Sequence, residues 1–186
     1  MAVWLIVLII VAVVVLVVLA TMLIRRRRTE RLRQQFGPEY ERTVAERGRA
    51  RDAESDLEAR QRRRAEFDIR PLPRDAQVRY GNAWQDVQKQ FVDRPHDALQ
   101  EANRLVIEVM NARGYPMADF EQRAADVSVD HPTVVKDYRA AHEIAEADLA
   151  GIASTEDMRR AMVHYRSLFG ELLEGGAEPR RSTEVP

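Results

Sequence analysis

The sequence predicts an all-α protein: an N-terminal single transmembrane helix, a charged juxtamembrane helix and a distal antiparallel helical bundle. Three observations predict it. Of the first 24 residues, 23 are apolar, and Thr21 alone interrupts the run. Residues 25–64 carry 14 arginines against 8 acidic residues, a balance of +6. Beyond them, apolar residues recur at helical steps of three and four. No segment sustains the alternation of a half-buried strand.

The averages conceal these parts. The 186 residues are 45% apolar with a net charge of −1. Outside the first 24, however, the apolar share falls to 38%, and residues 65–186 hold 15 basic against 22 acidic residues, a balance of −7. Cysteine is absent, which excludes disulfides, cysteine-ligated zinc, iron–sulfur clusters and thiol catalysis. The organisation predicted is an anchor at 1–24, an arginine-rich helical arm at 25–67, a proline-containing hinge at 68–74, a bundle at 75–174 and a disordered tail at 175–186.

Met1 to Ile24 holds no charged side chain. In a helix, 24 residues rise about 36 Å, more than the roughly 30 Å of a hydrocarbon core. No basic residue precedes the run and no small-residue cleavage site is evident, so the reading is an uncleaved signal-anchor. Arg25, Arg26, Arg27, Arg28, Arg31 and Arg33 follow it. By the positive-inside rule they place residues 25–186 on the cytoplasmic side of the inner membrane, with the N-terminus outside. The same six arginines are the expected contact with anionic headgroups of the lipid bilayer.

The arm continues the first helix until Gly37-Pro38, since proline disfavours helix in the residue before it. A second helix is expected from Pro38 to Phe67. Its apolar residues are sparse (Tyr40, Val44, Ala53, Leu57 and Phe67), so a coiled-coil seam is poorly supported. Interspersed acids and an acidic remainder disfavour nucleic acid as a partner. Pro71 and Pro73 then hold an extended segment.

In the bundle, Tyr80, Trp84, Val87 and Phe91 share one helical face. Asp93 and Pro95 punctuate the chain, with Asp93 as the expected N-cap. Ala98, Leu99, Ala102, Leu105, Val106, Val109 and Met110 form the next stripe, which Gly114 ends and Pro116 prevents from continuing. A short helix holds Phe120, Ala124 and Val127. Asp130 caps the following one, with Pro132 in its first turn, and its stripe is Val134, Tyr138, Ala141, Ala145 and Leu149. Ser154 opens the last helix, with Asp157 at the reciprocal position of a capping box. Its stripe runs from Met158 through Met162, Tyr165 and Phe169 to Leu173, and Gly175-Gly176 stops it.

Several segments together carry a family resemblance. They are Arg33-Gln34-Gln35-Phe36-Gly37-Pro38-Glu39-Tyr40, Ile69-Arg70-Pro71-Leu72, Trp84-Gln85-Asp86-Val87-Gln88, Phe91-Val92-Asp93, Arg113-Gly114-Tyr115-Pro116, Ser128-Val129-Asp130-His131-Pro132 and His164-Tyr165-Arg166. The chain resembles a family of small bacterial, mainly actinobacterial, membrane-anchored proteins without an established activity. The resemblance implies a shared architecture and brings no reaction with it.

Catalytic motifs are not evident. No Gly-x-Ser-x-Gly elbow and no phosphate-binding glycine loop occurs. His96 and His131 stand beside prolines at expected helix starts, where a histidine usually faces solvent. His142 and Glu146 are spaced to share a helix face, and His164 lies on the last helix. Without a Glu-x-x-His pair, a bundle metal site is not expected. The sequence therefore assigns no catalytic residue, metal, cofactor or small-molecule substrate. Arg113, Tyr115 and His131 are the candidate partner-binding residues, because ordered loops with aromatic and arginine side chains often carry recognition. Their alternative reading is structural, as a helix stop and a loop. Functionally, the chain reads as a membrane-anchored helical interaction or scaffold module that docks a protein partner or self-associates. A membrane-tethered enzyme with a site between the helices of His142 and His164 is the alternative.

Overall fold

The computed structural model describes residues 2–175, with side chains at 4, 7 and 8 and continuously from 12 onward. The described residues form eight α-helices and no strand: α1 (Ala2–Phe36), α2 (Pro38–Arg47), α3 (Ala50–Arg64), α4 (Arg74–Asp93), α5 (Pro95–Arg113), α6 (Phe120–Asp130), α7 (Val135–Leu149) and α8 (Thr155–Glu174). The chain divides into two compact units, 1–57 and 58–186. Of the expected disordered tail at 175–186, all but Gly175 lies outside the described residues.

The membrane assignment is corrected. Among the described residues no helix is long and apolar enough to cross a membrane. The single transmembrane helix, the signal-anchor and the inner-membrane placement with a cytoplasmic C-terminal domain are therefore not supported. In α1 the large apolar side chains from Val13 to Leu19 are about half exposed or more.

In the first unit, Gly37 separates α1 from α2 with φ 49°, and Pro38 begins α2. The helix expected from Pro38 to Phe67 is broken in two. Gly48 takes the left-handed conformation at φ 73° and its N–H bonds to the Val44 carbonyl, closing α2. Gly48 lies within a continuous charge pattern, which hides the break in the sequence. Leu32, Phe36, Tyr40, Ala53 and Leu57 are buried. Polar groups supplement this thin stripe. Glu54 accepts hydrogen bonds from the Thr29 hydroxyl (2.6 Å) and the Tyr40 hydroxyl (3.2 Å), and Arg47 pairs with Asp56 at 2.8 Å.

The second unit takes in the last turns of α3. Arg63 Nε donates to Asp126 Oδ1 at 3.0 Å, and Arg60 donates to the Ser128 hydroxyl at 3.4 Å. Arg64 pairs with Asp130. The proline segment is fastened rather than free. The Arg70 N–H bonds to the Arg113 carbonyl at 2.9 Å, and Leu72 joins the core.

The core lies mainly among α4, α5, α7 and α8, and Ala124 and Val127 of α6 join it. α5 is its centre and packs on the other three. The packed pairs α4–α5 and α7–α8 are joined by the single residue Arg94 and by a short link. Trp84 stacks on Phe169 at 4.6 Å between ring centroids. The predicted caps of α5 and α8 are present: Gly114 at φ 98° ends α5, and Ser154 and Asp157 form a reciprocal capping box.

Two boundaries differ from expectation. Asp93 ends α4 and Arg94 is the N-cap of α5. α6 runs on through Val129 to Asp130, and α7 starts at Val135. Pro132 therefore stands in the link between them. Tertiary anchoring of Asp126, Ser128 and Asp130 by the α3 arginines holds this extra turn in helix.

Candidate functional site

The structure brings Arg113, Tyr115 and His131 together in the second unit, and it buries them. Arg113, in the last turn of α5, donates to the carbonyls of Leu172 (2.9 Å) and Gly175 (3.1 Å). A guanidinium there satisfies the orphan carbonyls of α8 and complements its negative end. The Tyr115 hydroxyl donates to Asp130 at 2.7 Å. Burial above all, then the nearby Asp130 charge and that contact, raise the tyrosine pKa. His131, expected at the surface, is the C-cap of α6 and is buried. Its Nδ1 lies 3.7 Å from Glu171, and its Nε2 has no hydrogen-bond partner among the described residues. Burial lowers its pKa first, and the Arg113 charge lowers it further. These three residues lock the ends of α5, α6 and α8 together.

The six arginines singled out at 25–33 are exposed side chains on α1. Arg33 lies 3.5 Å from Glu41 and over the Tyr40 ring at 5.2 Å.

The remaining histidines have separate partners. His96 is mostly exposed and 2.7 Å from Asp148; that hydrogen bond and charge raise its pKa. His142 stacks on Phe120 at 3.5 Å and lies 4.0 Å from Glu146, with its pKa lowered by burial. His164 lies 3.2 Å from Asp137. His142 and His164 thus answer to different carboxylates. Among the described residues no group of three or more His, Asp or Glu could hold a metal ion.

A different feature was not legible in the sequence. A cavity of ≈ 180 Å³ opens between α4 and α8, lined by Gln88, Phe91, Arg159, Met162, Val163 and Arg166. It adjoins the Trp84–Phe169 stack. That stack and the Phe91–Met162 wall show α4 and α8 running antiparallel. Beyond the stacked rings, the space between the two helices is left open. Its walls are mainly apolar. Val163 is 55% exposed, so the floor reaches solvent.

The two arginines differ in how they are held. Arg159 grips Glu156 bidentately, Nη2 to Oε1 at 2.7 Å and Nε to Oε2 at 2.8 Å. The exposed Arg166 has no ion pair among the described residues.

No family model matches this chain, and no curated protein or solved structure matches it.

Proposed function

We propose that the helical unit from residue 58 onward is a protein-docking module. The observation that carries this reading is the open apolar groove between α4 and α8. Small-molecule sites are typically ~300–1,000 Å³. A cavity of ≈ 180 Å³ with solvent-reaching walls suits one anchoring side chain of a partner better than an enclosed metabolite. Binding energy at protein interfaces concentrates in a few such anchors. The three buried residues of the Arg113 cluster hold the C-terminal end of α8, the helix whose earlier turns carry the groove wall. This assigns them a structural contribution to docking in place of direct contact.

The test is site-specific photocrosslinking in cells from position 163 of the full chain. The expected result is one or a few discrete adducts, absent when the crosslinker stands at an exposed control position such as Gln85. Equal and diffuse labelling from both positions would overturn the reading.

A further inference from the structure

We propose that the α4–α8 groove takes an acidic amphipathic helix of a partner protein, with an apolar side chain in the cavity and a carboxylate on each side of it. This rests on the docking reading above and names the chemistry of the partner.

The argument is one of charge and spacing. The groove is lined by Arg159 and Arg166 and by no carboxylate. The surrounding region, residues 65–186, has an acidic balance of −7, so a cationic groove there is a local exception. The two arginines stand seven residues apart on α8, two turns on one helix face and about 10 Å along the axis. Met162 and Val163 lie between them. The groove therefore presents positive charge, apolar surface and positive charge in sequence along α8.

A ligand matching that order has a carboxylate, an apolar group and a carboxylate over the same length. On a helix, residues seven apart meet this spacing and share a face. Laying the apolar face of such a helix into a groove between two others is a general recognition mode. Arg166, with no ion pair among the described residues, can form a bidentate pair with an incoming carboxylate. Arg159 is already held by Glu156, so it contributes less charge and a more fixed position. A phosphate-rich partner fits less well, because the floor formed by Phe91, Met162 and Val163 is apolar.

The probe is a fluorescent, helix-stabilised peptide with two glutamates seven residues apart and leucine midway between them, titrated onto the full chain by anisotropy. A second peptide carries lysine in place of both glutamates. The glutamate peptide is expected to bind, to bind at least tenfold more weakly to Arg166→Glu, and to be less affected by Arg159→Gln. The lysine peptide is expected to bind Arg166→Glu better than the unaltered chain. That reversal cannot come from misfolding. Equal binding of both peptides to the unaltered chain, or no loss in Arg166→Glu, would overturn the proposal. Discrete crosslinks from position 163 to another copy of this chain would also overturn it while leaving docking intact. Diffuse crosslinks there remove the docking reading itself.

Discussion

The two compact units hold themselves together by different means. In the first, Leu32, Phe36, Tyr40, Ala53 and Leu57 make a narrow buried stripe, and Glu54 ties Thr29 and Tyr40 together by hydrogen bonds. In the second, α5 presents a full stripe from Ala98 to Met110 to three neighbouring helices. A single polar contact is therefore a larger share of the first unit's stability, and buried apolar area a larger share of the second's. Burial contributes in proportion to area, about 25 cal/mol per Å², whereas an ordinary hydrogen bond adds about 1 kcal/mol net.

The largest effect should come from the second core. Leu99→Ala is expected to cost roughly 2–5 kcal/mol. Hydrogen exchange should show protection lost across α4, α5, α7 and α8 and retained in α2. Phe36→Ala should do the reverse. Loss of protection everywhere in both variants would mean that the units unfold as one.

Next come two glycines in the left-handed region. A Cβ added at Gly48 would meet open space, whereas one at Gly114 would lie 2.6 Å from the Asp68 carbonyl oxygen. Gly48→Ala should cost about 1–2 kcal/mol from backbone strain alone. Gly114→Ala should cost more, because the strap at residues 68–70 must also move. Denaturation midpoints of the two variants, compared with the parent, check the order. Equal losses would remove the strap from the explanation.

Two tyrosines sharpen the contrast at smaller scale. Tyr40→Phe deletes a hydroxyl bonded to Glu54 and should destabilise the first unit by about 1 kcal/mol. Tyr165 is buried with a hydroxyl that has no partner among the described residues. Tyr165→Phe removes an unsatisfied polar group, so it should be neutral or slightly stabilising. Thermal unfolding would expose a clear loss there as a hidden hydrogen bond.

The smallest effect is a pH dependence. Burial and the Arg113 charge lower the His131 pKa from its ordinary 6.5. The unfolded chain then binds the proton more readily than the folded one, so stability falls as pH falls. The His131 contribution is full above pH 6.5 and declines below it, towards the lowered folded value. His142 shifts the same way, and the exposed His96 shifts the opposite way. His131→Gln should flatten the decline seen between pH 7 and 5. An unchanged slope would assign the decline to other groups.

Much of the second unit is readable residue by residue. The stripes of α5 and α8, the Gly114 stop and the Ser154 capping box depend on neighbours within four positions, and each is present. The first unit is harder to read. The Gly48 break lies inside a continuous charge pattern, where nothing apolar marks a boundary. The anchor reading treats all 24 N-terminal residues as one span, and the described residues do not support it. His131 misleads because its partners, Arg113 and Glu171, come from distant helices. The groove leaves no sequence signal at all.

The sequence by itself determined the helical class, the faces that turn inward and most stop signals. Those follow from the 3.6-residue period and from local backbone chemistry. Tertiary structure alone decided that Arg113, Tyr115 and His131 meet as a buried lock. It also decided that α4 and α8 stand apart beyond the Trp84–Phe169 stack. Helix spacing is set by side chains far apart in sequence, and a gap between them has no local pattern.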